Sequence, residues 1–173
     1  TTQTVNATLP LNSGVVPQLK TSAEAQAWLS NKYPGIEFQL KGVDDKLAFD
    51  VADEFNTLAQ EYPDAIKEFG YFGTYADAAK SSWIQHSQSL VATGLRSRIR
   101  KGRELFDDEY AHNFMLQDDA IGLNPNRWGN AKKLSSKLRE NTTADSNNAT
   151  WVVGGRPRDA IRHEFGHFIE GWL

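Results

Sequence analysis

The chain has 173 residues, 39% of them hydrophobic and 24% charged, which is the balance of one globular domain with a core of its own. Zero cysteines exclude disulfides, thiolate metal sites and cysteine nucleophiles, and a net charge of −3 argues against a dedicated nucleic-acid binder. No apolar run reaches the ~18 residues of a membrane span, Thr1 opens no signal peptide, and secretion is left open.

Residues 1–20 are polar with Pro and Gly and read as an N-terminal arm or linker; residues 21–173 read as one domain. Thr21-Ser22-Ala23-Glu24 is a capping box that opens a helix running to about Tyr33 and stopping at Pro34-Gly35. Ile36-Glu37-Phe38-Gln39-Leu40 alternates apolar and polar, the pattern of a half-buried strand. Asp44 to Tyr62 is the clearest long helix, with Val51, Phe55, Leu58 and Tyr62 as its stripe, and Phe69 to Tyr75 suits a second strand.

The middle carries weaker signals. Ala76 to Ser97 has no secure assignment, and Leu95 to Leu116 reads as helical, with Ile99, Phe106 and Tyr110 partly in phase. Arg96, Arg98, Arg100, Lys101 and Arg103 form a basic run, but Glu104, Asp107, Asp108 and Glu109 follow it, so a solvated, internally paired face is the better reading. Ala120 to Asn124 is a short strand. Asn130 caps a helix, Ala131 to Arg139, that shows Leu134 and Leu138, and Glu140 to Thr150 is a polar loop. The five tryptophans read as core rather than as a ligand platform.

The most informative stretch begins at His163. His163-Glu164-Phe165-Gly166-His167 is an HExxH motif, expected by chance in about one chain in two hundred of this composition. It follows Trp151-Val152-Val153 and Gly154-Gly155-Arg156-Pro157, and Pro157 suits the first turn of a helix. Ile161, Phe165, Phe168 and Trp172 recur as one apolar stripe, and at about 100° per residue both imidazoles fall on the other side. His163 and His167 on one face can hold a single zinc ion, and Glu164 can take a proton from a water activated by that metal. The plain alternative is a pair of surface histidines. Asp159, four residues before His163, could orient that ring, although a first-turn acid is the more ordinary role.

Together, Ala120 to Asn124, the polar loop, Trp151 to Gly155 and Ala160-Ile161-Arg162-His163-Glu164-Phe165-Gly166-His167 resemble the zincin-like metallopeptidase domains of phage and prophage proteins, which are often attached to minor head or head-morphogenesis proteins. The region from Ser22 through Tyr62-Pro63 to Tyr71 is similar to what precedes such domains. The resemblance covers most of the chain loosely and is sharp only at the motif.

It implies an α+β, zincin-like fold, a small mixed sheet packed on helices with a C-terminal HExxH helix. It implies Zn2+ as cofactor, His163 and His167 as ligands, Glu164 as general base, and Ala120 to Asn124 as an edge strand that pairs with an extended peptide. The partners implied are a peptide or protein substrate and phage head or portal proteins, with no membrane, in the virion or the bacterial host cytoplasm. A non-catalytic head-assembly module that retains HExxH is the competing expectation.

The chain departs from the family where the third ligand belongs. Glu170 stands where one subgroup has glycine, and no histidine follows. The third ligand is then Glu170, an upstream residue (His112, Asp118 or Asp119), or a residue of a downstream segment if the chain is a piece of a longer protein.

Overall fold

The computed structural model describes residues 14–105, 111–113, 119–143 and 154–173, with backbone alone at 111–113 and 141–143. Within them lie seven α-helices and a four-stranded sheet of order β1-β2-β4-β3, a mixed α/β arrangement. The elements are α1 (Ser22–Lys32), β1 (Glu37–Gln39), α2 (Ala48–Glu61), β2 (Tyr71–Gly73), α3 (Ser82–His86), α4 (Leu90–Arg100), β3 (Ala111–Asn113), β4 (Ala120–Leu123), α5 (Pro125–Trp128), α6 (Ala131–Thr143) and α7 (Pro157–Trp172). Strands β1, β2 and β4 are parallel, and β3 runs antiparallel along β4.

The expected helices form where their local signals are strongest. Thr21 accepts from the Glu24 amide, and Glu24 reaches back to the Thr21 amide, completing the capping box of α1. Asn130 Oδ1 accepts from the Lys133 amide at 2.9 Å, and Leu134 and Leu138 of α6 are buried as expected. Glu37 of β1 caps α3 from outside, taking the Ser82 and Trp83 amides and the Ser81 hydroxyl at 2.7 to 3.1 Å.

Both faces of the sheet are covered, and the strand alternation decides which residue goes where. Phe72 and Ile121, paired in register, enter the main core with Phe38, Phe55 and Phe165. Their neighbours Tyr71 and Ala120, also paired, enter a second cluster with Trp83, Ile84 and Leu95 of α3 and α4.

Four expectations change. Strand 120–123 is not an edge: β4 lies between β2 and β3, and the outer strands among the described residues are β1 and β3. The reason is visible in its burial, since all four residues are buried, as a strand covered on both faces must be. The helix expected across 95–116 ends at Arg100, because Gly102 takes φ +61° and a Schellman motif closes the turn. In it the Gly102 amide donates to Ile99 O and the Arg103 amide to Arg98 O, each at 3.0 Å. Phe106 and Tyr110 lie outside the described residues.

Tyr62 and Trp172, assigned to apolar stripes, are 39% and 38% exposed, since Tyr62 leaves the helical conformation as the C-cap of α2 and Trp172 sits in the last turn of α7. The polar loop expected from Glu140 is helical through Thr143; the rest of it and Trp151 to Val153 lie outside the described residues. No described helix is long and apolar enough to cross a membrane.

Candidate metal centre

Helix α7 is fixed at its start, along its flank and on its apolar face. Arg156 is its N-cap and Pro157 its first residue; the Arg156 amide and side chain all bond the Asp159 carboxylate, at 2.9 to 3.1 Å. Asp159 therefore closes the first turn, the more ordinary of its two expected roles. Gly154 takes φ +118°, and a Cβ there would lie 2.2 Å from Asp159 Oδ2, so the approach to the helix demands glycine.

Along the flank, two arginines tie α7 to acids of α2. Arg158 reaches Asp50 at 2.8 Å and Asp53 at 2.7 Å; Arg162 reaches Glu54 at 2.7 Å and Glu61 at 3.0 Å. This network was not anticipated. Its signal was present, because arginines four apart can face acids three, four and seven apart on a packed helix. On the apolar face, Ile161, Phe165 and Phe168 are buried, with Phe165 and Phe168 against Phe69.

The imidazoles lie off that face, as expected. His163 and His167 are half-buried, their rings edge to face at 87° with centroids 4.7 Å apart, and their Nε2 atoms are 3.1 Å apart. Two nitrogens bound to one tetrahedral zinc at about 2.05 Å are about 3.3 Å apart, so the pair fits one ion with a shift of about 0.2 Å. The same separation suits an N–H···N bond between neutral rings. With His163 as that donor, the Nδ1–H of His167 faces Glu170, whose Oε2 is 3.7 Å away.

Burial, and then the neighbouring His167, hold the His163 imidazole below its ordinary pKa, with Glu170 acting in the opposite direction. A ring kept neutral is a ring ready to ligate. His167 Nδ1 is itself buried without a hydrogen bond. Glu170, 75% exposed, is about 0.7 Å too far to supply one. Glu164 is half-buried, and at about 100° per residue it sits between the aromatic stripe and the imidazoles.

The candidate third ligands separate. Glu170 lies on the Nδ1 side of His167, away from the convergent Nε2 atoms, in a position to orient that ring rather than to share its metal. Asp119 is remote in function: its Oδ2 accepts from Trp83 Nε1 at 3.1 Å, and its backbone oxygen receives the Gly70 and Tyr71 amides. Asp118 lies outside the described residues. His112 belongs to β3, a strand whose backbone runs beside α7. Among the residues whose side chains are described, no third His, Asp or Glu joins the pair in a metal-holding group.

The basic run of α4 is partly consumed in structure. Arg96 donates to Ile84 O and Ser87 O at 2.6 and 2.9 Å, and Arg98 donates to Leu105 O at 3.1 Å. No family model, no curated protein and no solved structure matches this chain.

Proposed function

We propose that this chain is a zinc-dependent peptidase-type domain of phage or prophage association, with His163 and His167 as metal ligands and Glu164 as general base. The observation that carries the proposal is the 3.1 Å approach of the two Nε2 atoms on a helix anchored at its first turn and along its flank. The outer position of β3, antiparallel to β4 and beside α7, adds support: among the described residues it has no strand partner on its other side, and a peptide laid along that edge would be held extended near the two rings.

Zinc, when bound, supplies Lewis acidity toward water and toward an amide carbonyl. Glu164 then serves as the carboxylate that accepts the proton of the attacking water and returns it to the departing amine. Glu170 stands behind His167, 3.7 Å from Nδ1, close enough to orient the ring after a small shift, and the neutral His163 ring offers its lone pair near pH 7.

A second reading, a non-catalytic virion head-assembly module that keeps the motif, is favoured by one observation: Glu170 stands on the wrong ring nitrogen of His167 to complete the ligand set. Zinc content of the purified chain by elemental analysis, beside a His163→Ala/His167→Ala control, separates outcomes. One zinc per chain, lost in the control, with hydrolysis of a peptide library abolished by Glu164→Gln at unchanged zinc content, establishes the peptidase. Zinc without hydrolysis leaves the structural module, and no zinc after addition at neutral pH overturns the metal site.

A further inference from the structure

A groove separate from the histidine pair runs along α5 and α6. It has a volume of about 560 Å³ and is lined by Arg127, Lys132, Lys133 and Lys137, with Asn130 and Ser136 between them. Its one carboxylate, Glu140, sits 3.3 Å from Lys137. Four cations are thus gathered on one face of a chain whose net charge is −3. The concentration follows from the pattern of α6: Leu134 and Leu138 take the buried side, which turns Lys132 and Lys133 fully outward. Among the described residues, no carboxylate pairs with Lys132 or Lys133.

We propose that this groove binds the phosphodiester backbone of a nucleic acid duplex, without sequence preference. Lys, Arg, Ser and Asn side chains are the groups that contact backbone phosphates, and here they line a groove longer than one phosphate group. An acidic protein segment fits less well, because protein interfaces take their energy from apolar and aromatic anchors and no apolar side chain lines this groove. Single strands fit less well for a related reason: they need exposed aromatic platforms, and Trp128, the ring of α5, is fully buried.

The site is made by side chains and not by the helix terminus. The first amide of α6, Ala131 N, is already taken by Asp44 Oδ2 at 2.8 Å, and the Lys133 amide is taken by Asn130. The negative whole-chain charge weakens long-range attraction but leaves the local contacts, so binding is salt-sensitive and modest.

The test is fluorescence anisotropy of a labelled short DNA duplex against the full chain, across a salt series. Three phosphates neutralised give a log–log slope near −2.7, so affinity falls about 40-fold between about 50 and about 200 mM salt. Lys132→Gln/Lys133→Gln/Lys137→Gln should retain at most one such contact, with a fall of about fourfold over the same range. Arg100→Gln/Lys101→Gln/Arg103→Gln, at the C-terminal end of α4, removes the same number of charges, serves as the charge-matched control and keeps the wild-type slope. Circular dichroism of each variant confirms that it is folded. Absence of binding at the lowest salt, or equal loss in the α4 control, overturns the proposal. Equally tight binding of poly-glutamate also overturns it, in favour of an acidic protein partner.

Discussion

Arg162 of α7 donates through Nε to Glu54 Oε1 of α2 at 2.7 Å, and the acceptor side chain is only 7% exposed. The motif helix is thereby joined to the central helix of the main core by a carboxylate with little access to water. The two partners are not equivalent. Arg162 is 47% exposed and has Glu61 as a second partner, whereas among the described residues Glu54 has only Arg158 in reserve, at 3.8 Å.

Removal of the two ends therefore has unequal cost. Arg162→Met strands a buried charge and should destabilise by about 2 kcal/mol, while Glu54→Gln leaves both arginines with other acids and should cost about 1 kcal/mol. In a chain of this size those values correspond to about 4–8 °C and about 2–4 °C in Tm. Thermal melts of the two variants check the order; a larger loss for Glu54→Gln would mean that Arg158, not Arg162, holds the carboxylate.

Gly154 is the other point at which α7 is set. Alanine there meets both an unfavourable φ of +118° and the Asp159 carboxylate at 2.2 Å, so either the turn or the cap must give way. Backbone strain and cap loss together should cost about 2 kcal/mol. Because the damage is confined to the first turn, zinc stoichiometry at saturation should remain that of the wild type. Differential scanning calorimetry with zinc analysis on the same sample reads both quantities. Loss of zinc with unchanged Tm would contradict the assignment of Gly154 to the helix start.

Much of this architecture was legible because its signals are local. The Thr21–Glu24 box, the Asn130 cap and Pro157 at the first turn of α7 each act within four residues, and each holds in the structure. Gly102 was an equally local stop signal, but the partial phase of Ile99 with residues beyond it suggested a continuous helix. The Schellman bonds from Gly102 and Arg103 show why glycine outweighs that phase: it closes the orphan carbonyls of the last turn at φ +61°.

Strand β4 illustrates a different limit. Edge or interior is a property of pairing partners far away in the chain, and only the apolar character at every position of Ala120 to Leu123 hinted at the interior. At the candidate metal site the motif and the helical face were legible. The sides taken by the ring nitrogens were not, since they depend on rotamers set by packing; this is why Glu170 could be placed near His167 but not on its Nδ1 side.

The pair of imidazoles also sets a pH dependence. The folded chain holds His163 below its ordinary pKa, through burial first and His167 second. The unfolded chain therefore takes up that proton first, and in metal-free protein the stability contributed by the neutral ring is complete above pH ~6.5 and is lost as the pH falls through the lowered folded value. Urea midpoints measured in chelator from pH ~7.5 downward should fall on acidification, and His163→Gln should flatten that part of the curve. Zinc should steepen the dependence, because proton and metal compete for the same Nε2 lone pairs. If the metal-free midpoint rises instead on acidification, Glu170 outweighs burial and the rings bind the proton as a charged pair, a state that would oppose metal binding near neutrality.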